Sequence, residues 1–596
     1  MKLRKLYREL VRRNVFRAVL AYLAVAWVLI EFSSVILPTF EAPPYVLQGL
    51  IYLLAIGLIL WTIFAWIYDL TPEGWKKTPD WTDTTETRAA NSRRLNAVIA
   101  VAGVTALLLL VAGSFWAGSR WNSNREVANR PAYQIAVIPF ESDTKDIEDA
   151  EVFKNGLTQE LIESLSGNQA LLVLNMGSTQ YFTAGLVPDN TYLASHTQNI
   201  DYFVSGRVEI QDNLLNVSLE LRKDLSQKPI WTRGYQNDLS KIRQLWASAT
   251  EDILEFIGMG TEAESSFRRE LRSVNPETYE LYLKGKYYLS RSTVEEWQRG
   301  LVYLQEATDR NPADPDAWAS MAEGYITWGH NPMPPDDVFP KAQAASKRAI
   351  QLDSTNALGW ATLADYHTYF GWDYDLADYA FRKADSLNPN MALNHYHRSW
   401  YLALFGRMNE AIREHKRAQE LDPFTPMHTA WMAELYRWVG EYDLALAELD
   451  KVFEMNTGQY ALAMVLKGMI LTDMGRVDEG LETMRQACEI NMGWYVFYGP
   501  YLMKHGQAEE ANDLLKELEA LPDIPFFNLV RASTYKEAGD LDKAFEYLEK
   551  GKRHAWYAWF VRIYMADEIQ QDPRFYELLS ELKLPPPGPL QYNPDI

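Results

Sequence analysis

The chain is nearly without cysteine: Cys488 is the one thiol among 596 residues. That excludes an internal disulfide and any metal site built from several thiolates, and it suits either side of a bacterial membrane. Basic residues are also scarce. Lys and Arg number 58 against 79 Asp and Glu, for a formal charge of −21. The shortage is uneven, because residues 1–117 hold 12 Lys and Arg and 8 Asp and Glu, which leaves −25 on the remainder. A remainder so acidic lacks the basic footprint that nucleic-acid binding requires, so no nucleic-acid partner is expected. The lysine loop that cradles phosphates, the dinucleotide glycine fingerprint and the paired histidines of zinc proteases are absent too. The expectation is a chain that is not an enzyme, with no catalytic residue, cofactor or metal. His395 and His397 are two apart and point to different sides of a helix, so packing within the fold is the reading for them and for His367.

What the sequence does contain is a period. Gly406 and Gly440 are 34 residues apart, and so are Ala411 and Ala445. Gly475 with Gly480, Gly506 with Ala511 and Gly539 with Ala544 continue the pattern. A fixed period in the thirties means one supersecondary unit stacked on copies of itself. Small residues recur where two antiparallel helices cross closely, aromatics fill the gap to the next unit, and Pro389 and Pro423 end second helices. These positions resemble the signature of tetratricopeptide repeats. About eight units are expected within 270–584, including a C-terminal cap, followed by a flexible tail at 585–596. His330–Pro340, with four prolines, is expected to project from the stack as a rigid loop.

Three apolar stretches, 18–37, 45–68 and 95–117, reach the ~20 residues that a bilayer core requires. They are expected as transmembrane helices, preceded by a basic amphipathic lead-in at 1–17 that lies on the lipid surface. Lys and Arg cluster before the first stretch and between the second and third, while the loop at 38–41 has none. That asymmetry predicts a cytoplasmic N-terminus, an inner-membrane anchor and periplasmic C-terminal domains.

After a linker at 118–130, residues 131–258 read as a small α+β domain. Strands are expected at Gln134–Phe140, Leu171–Leu174, Asp201–Ile210, Leu214–Arg222 and Pro229–Tyr235, with helices at Asp149–Leu165 and Leu239–Ile257. The blocks Ile135–Phe140, Asn155–Leu161, Asp201–Val208 and Pro229–Arg233 resemble the amino-terminal domain of TolB and the related flagellar FlgO-like domain. The run Tyr7–Val15, with Trp27 and Asp69–Gly74, resembles the N-terminal region of bacterial membrane-anchored tetratricopeptide-repeat proteins. The resemblance implies a multi-domain fold: three transmembrane helices, a small α+β domain, then an all-α solenoid. It also implies a protein-interaction module and not a catalyst.

The functional expectation is a scaffold in the inner membrane that presents a periplasmic surface to a protein or peptide partner, with the lipid bilayer and a second membrane protein as further contacts. The alternative is an accessory sensor subunit that couples periplasmic binding to a separate effector. Partner contact is expected on the first helices of the repeats. There His395, Arg398 and Leu402 fall on one helix face at spacings of three and four, and Glu434 with Arg437 on the next.

Overall fold

Ile135, Ala136 and Val137 are all buried, so the strand that carries them has no solvent face. In the computed structural model this strand, β3 (Tyr133–Val137), is an inner strand of a sheet in a unit spanning Pro131–Ile596. The structure describes residues 133–594 apart from 143–146, 169, 181, 183–198, 212, 260–272, 292, 331–334, 456–459 and 566–568. In the first 130 residues, a separate unit, it describes single helical positions between 19 and 62 and a hairpin of β1 (Tyr68–Thr71) and β2 (Gly74–Lys77).

The N-terminal unit corrects the sequence reading. Among the described residues no helix is long and apolar enough to cross a membrane. The helical positions described inside the first two expected spans run from Val19 to Ile30 and from Tyr52 to Thr62. Tyr68, expected to end the second span, instead pairs with Lys77 in the hairpin. The third expected span and the lead-in at 1–17 lie outside the described residues. The fold class with three transmembrane helices is therefore overturned. With it falls the inner-membrane location with a cytoplasmic N-terminus and periplasmic domains.

In the larger unit β3 pairs in parallel with β5 (Leu171–Val173) on one side and β6 (Tyr202–Gln211) on the other. The short β4 (Glu141–Ser142) also joins β6. An antiparallel meander follows through β7 (Leu214–Arg222) and β8 (Trp231–Asp238), with Asn213 in the left-handed conformation at the β6–β7 turn. Two helices cover one face. α1 (Ile147–Ser166) brings Leu157, Leu161 and Leu165, and α3 (Ile242–Phe256) brings Trp246 and Ile253. Between them in sequence lies α2 (Met176–Thr179).

The opposite face is covered from far along the chain. Ala136, Ile138, Leu172, Leu174 and Phe203 meet Ala392, Leu421 and Phe424 of the repeats there. Phe424 packs edge-on against Phe182 at 5.6 Å. Polar groups close the seam. The Asn175 N–H donates to the Leu421 carbonyl at 2.8 Å, and Asn390 Nδ2 donates to the Ser166 and Asn168 carbonyls. An alternating strand would have left this face wet. Strands apolar on both sides need a cover on each, and the repeats supply the second.

Eight helix pairs follow among the described residues. They are α4 (Pro276–Leu289) with α5 (Val294–Arg310), α6 (Pro315–Gly329) with α7 (Pro335–Leu352), and α8 (Ala357–Tyr366) with α9 (Tyr374–Leu387). Next come α10 (Ala392–Leu404) with α11 (Met408–Leu421), α12 (Pro426–Trp438) with α13 (Tyr442–Met455), and α14 (Ala461–Asp473) with α15 (Val477–Ile490). The last are α16 (Tyr495–Lys504) with α17 (Ala508–Glu519) and α18 (Pro525–Glu537) with α19 (Leu541–Gly551). A π-helical turn, His367–Gly371, extends α8. Proline opens α4, α6, α12 and α18, where its fixed φ suits the first turn and its missing N–H costs nothing.

The 34-residue period has a structural cause at the turn inside each later pair. Gly406, Gly440, Gly475, Gly506 and Gly539 all have φ between 73° and 85°. The residue after each glycine donates its N–H to a carbonyl five positions back, as Arg407 does to Leu402 and Gln507 to Leu502. This left-handed cap satisfies carbonyls that the ending helix leaves orphaned, and glycine adopts it without a Cβ penalty. Five positions beyond each glycine a small residue is buried in the helix crossing: Ala411, Ala445, Gly480, Ala511 and Ala544.

The described part of the expected Pro-rich projection is helical. Residues 331–334 lie outside the described residues, but Pro335 starts α7, Pro340 lies within it, and Phe339 is buried. After α19 come α20 (Tyr557–Trp559), a π-helical turn at Phe560–Tyr564 and α21 (Pro573–Glu581). The segment beyond Leu584 lies along the turn between α10 and α11. Gln591 donates its N–H to the Gly406 carbonyl at 2.7 Å and accepts from the Asn409 N–H at 3.1 Å. No side chain caps α11, and the Gln591 carbonyl occupies that position.

Candidate partner-binding face of the repeats

The first helices of successive repeats share a face, and aromatic residues dominate it. Trp400 of α10 touches Trp431 and Trp438 of α12, with ring centroids 5.4 and 5.6 Å apart. Tyr369, on the turn after α8, lies beside His397 of α10. Such a surface invites a helical, aromatic-rich segment, and the chain provides one itself. Trp556 stacks on Trp431 at 5.8 Å and meets Trp400 edge-on at 5.4 Å. Trp559 stacks on Tyr369 at 4.8 Å and donates its indole N–H to the Trp400 carbonyl at 3.2 Å. Tyr557, Ala558 and Trp559 are fully buried. The C-terminal segment 554–564 thus occupies the face that the sequence reading left open for a partner.

Glu434 fixes the far end of this segment. Its carboxylate, with no exposed surface, accepts from Arg437 Nε at 2.7 Å, Arg437 Nη2 at 2.8 Å, Trp438 Nε1 at 2.8 Å and the Tyr564 hydroxyl at 2.7 Å. Arg437 also donates to Asp473 at 2.6 Å and to the Tyr501 hydroxyl at 3.3 Å. The expected pair therefore forms, but as the centre of a buried network and not as an open contact.

The other expected stripe is internal too. Leu402 is 1% exposed and belongs to the repeat core. His395 is buried, with Nδ1 2.7 Å from Glu414 and Nε2 3.0 Å from the Pro389 carbonyl. Burial alone would lower its pKa. Glu414, Asp385 and that carbonyl outweigh the loss, so the imidazole is held above its ordinary value. Arg398 reaches the same Glu414 at 2.8 Å. Burial raises Glu414, but His395 and Arg398 overcome it and keep the carboxyl below its usual range. His395, Arg398 and Glu414 tie α10 to α11. Leu402, pointing into the core, shares the sequence spacing but not the environment.

His397 and His367 do not join His395. His397 Nδ1 lies 3.0 Å from the Tyr369 hydroxyl, and His330 stacks on the His397 ring at 5.6 Å. His367 faces Tyr366 at 4.9 Å. Among the described residues no group of His, Cys, Asp and Glu is arranged to hold a metal.

The sequence reading missed Trp556, Trp559 and Tyr564 as occupants of the shared face. Their signal was available: aromatic residues at spacings of three and five follow the last glycine-capped pair, where a solenoid needs a polar outer cap.

The tetratricopeptide repeat family matches residues 461–491, which are α14 and α15. Among curated proteins the chain is 22% identical over 327 residues to the transcriptional regulator HilA of Salmonella typhimurium, covering 51% of this chain and 55% of that protein. HilA of Salmonella paratyphi A is 23% identical over the same length. The chain spans about half the length of the curated relatives it matches. Among solved structures, a thermophilic tetratricopeptide protein of Thermus thermophilus is 21% identical, with 33% of this chain and 99% of that chain covered at a TM-score of 0.28. PilW, a type IV pilus biogenesis factor, is 17% identical, with 37% and 95% covered at a TM-score of 0.31. The eight stacked helix pairs, the recurring glycine caps and the family match at 461–491 make the repeat region a tetratricopeptide solenoid.

Proposed function

We propose that the chain is a non-enzymatic scaffold that binds a protein or peptide partner through its tetratricopeptide repeats. Solenoids of this kind typically serve as interaction surfaces and bind protein partners. The observation that carries the reading is the seating of 554–564. The first-helix face already holds a short aromatic helical segment, through Trp556, Trp559 and the Tyr564–Glu434 hydrogen bond. Buried aromatic anchors are the residues on which interfaces concentrate their affinity. A synthetic peptide spanning 552–566 tests this. It should bind a full-length Trp556→Ala/Trp559→Ala variant whose helicity is intact, and wild type only weakly because the site is filled. Failure to bind the folded variant would remove this face as a peptide site.

A second reading, an accessory component that passes a binding event to a separate effector, draws on the half-length match to proteins named transcriptional regulators. Chemical cross-linking followed by quantitative mass spectrometry separates the two. A stoichiometric effector joined to the chain favours the accessory role, and a partner recovered without one favours the plain scaffold.

A further inference from the structure

Histidine is scarce, nine residues in the whole chain, yet five of the nine gather where the C-terminal segment meets the repeats. His330, at the end of α6, is stacked on His397 of α10 and lies edge-on to Tyr369 at 4.3 Å and to Trp556 at 6.0 Å. His428 of α12 lies 4.8 Å from Tyr396, which also neighbours His397 and His415. His415 of α11 donates Nε2–H to the His428 carbonyl at 2.7 Å, and Ser399 Oγ lies 2.9 Å from its Nδ1. His554, at the start of the inserted segment, accepts the Trp556 N–H on Nδ1 at 3.2 Å. All five are buried or nearly so, and no carboxylate lies within salt-bridge distance of His330, His415, His428 or His554 among the described residues.

The groups facing this cluster from each element offer a proton on it one carboxyl, beside His397. α8 contributes Asp365, 3.7 Å from His397. Neither Asp365 oxygen has a hydrogen-bond partner, and burial, with Glu323 of α6 adding to it, raises the carboxyl well above its usual range. The turn after α8 contributes Tyr369, α10 contributes Tyr396, and α11 and α12 contribute His415 and His428. α7 brings the Phe339 ring. The C-terminal segment adds His554, whose charge would oppose one on His330.

We propose that the His330–His397 pair, closed over by Trp556 and His554, is an acid-operated latch: it holds segment 554–564 in the first-helix face at neutral pH and releases it on acidification. Closed, the imidazoles are desolvated among rings and carbonyls and must stay neutral. Open, they meet water and take protons. Burial holds His330 at about 3 and His428 and His554 at about 4, while His397 lies well below its ordinary value through burial, His330 and His428. Groups lowered in the closed state favour it above their free pKa, and that preference disappears as pH falls. At one pH unit below the free value of ~6.5, each imidazole that gains a proton on release shifts the balance about tenfold toward the open form. His330 and His397 together give about a hundredfold. Release would uncover Trp400, Trp431 and Tyr369 without requiring the helix pairs to separate.

Hydrogen exchange on the full chain, compared at about pH 7.5 and about pH 5.5 with correction for intrinsic rates, tests the latch. Peptides covering 554–564 should lose about a hundredfold in protection at the lower pH, while those covering α14 and α15 keep theirs. In a His330→Phe/His397→Gln variant, which keeps a ring at 330 against Tyr369 and Trp556 and an acceptor for the Tyr369 hydroxyl, that loss should largely vanish. If the double variant is not helical at neutral pH, His330→Phe alone should recover about a tenfold part of the loss. Unchanged protection of 554–564 in the wild type overturns the proposal. So does loss spread equally over all repeats, or a variant that opens as the wild type does.

Discussion

Tyr564 donates its hydroxyl hydrogen to Glu434 across 130 residues of sequence, at 2.7 Å and onto a carboxylate with no exposed surface. The bond joins the end of the inserted C-terminal segment to the helix whose Glu434 and Arg437 were expected to meet a partner. Glu434 has four donors, so the two ends of this network differ in what their loss costs. Tyr564→Phe removes one hydrogen bond and should lower stability by ~1–2 kcal/mol. Glu434→Ala leaves Arg437 buried without its main counter-charge and should cost ~3–5 kcal/mol. Denaturant midpoints of the two variants should fall in that order. Equal midpoints would mean that Arg437 is satisfied by Asp473 and Tyr501 alone.

The His395–Glu414–Arg398 cluster predicts a pH dependence opposite to that of the buried histidine group. His395 is held above its ordinary value, so its contribution is fully present below the unfolded pKa and is lost as pH rises through the folded one. Wild-type stability should therefore carry a component that declines from about pH 6.5 upward. His395→Gln should remove that component. Arg398→Glu sets a like charge beside Glu414 and should lower the unfolding midpoint before any effect on binding is seen. A midpoint equal to wild type would show that the α10–α11 contact does not depend on this ion pair.

Gly480 stands where the other four glycine-capped pairs carry alanine, and the helix crossing shows why. A Cβ built on Gly480 would lie 2.5 Å from the Gly468 carbonyl oxygen and 2.6 Å from Thr472 Cγ2, and one on Gly468 would lie 2.6 Å from the Gly480 carbonyl. α14 and α15 therefore approach backbone to backbone. Gly480→Ala gains helix propensity of ~1 kcal/mol but must push the helices apart, at ~1–3 kcal/mol for overpacking. Net destabilisation is expected in thermal unfolding, concentrated in exchange from 461–490. A raised midpoint would place the two helices farther apart than this crossing.

How far these features could be read in advance depends on how local their causes are. The glycine at the end of a first helix and the small residue five positions later answer to one turn and one crossing, so Gly406, Ala411 and their successors marked the period directly. The strand pattern of 131–258 was equally local. The second cover of β3 was not, because Phe424 and Asn390 lie more than 200 residues from the strands and loops they touch. The stripe His395–Arg398–Leu402 shows the same limit. Spacing assigns residues to one side of a helix, but α10 is buried on nearly every side, by the sheet domain at its start, α11 beside it and Trp556–Trp559 across it. Apolar length misled in the N-terminal region, since counting apolar residues from 45 to 68 cannot reveal that Tyr68 pairs with Lys77 in a hairpin.

The seam between the sheet and the repeats should be separable from the folding of either. Phe424 is fully buried between Phe182 and Phe203 on the sheet side and Leu421 on the repeat side, and its N–H donates to Ser178 Oγ at 3.0 Å. Ser178 in turn donates to Asp422, whose carboxyl burial raises even though Ser178 and Thr425 pull it down. Truncating Phe424 to alanine keeps the backbone bond but deletes the ring, at ~3–5 kcal/mol where the site cannot collapse. That cost falls on the seam, because the helix crossings of α10 to α13 rest on other residues, among them Ala411, Ala418 and Ala445. In Phe424→Ala, exchange protection should drop at 171–180 and 421–425, while α14 to α19 keep theirs. Asn390→Ala should give the same pattern more weakly, because it removes the bonds to the Ser166 and Asn168 carbonyls and the one accepted from Arg417 but no buried ring. Loss of protection throughout the repeats in Phe424→Ala would instead show that the sheet is required for the solenoid to hold together.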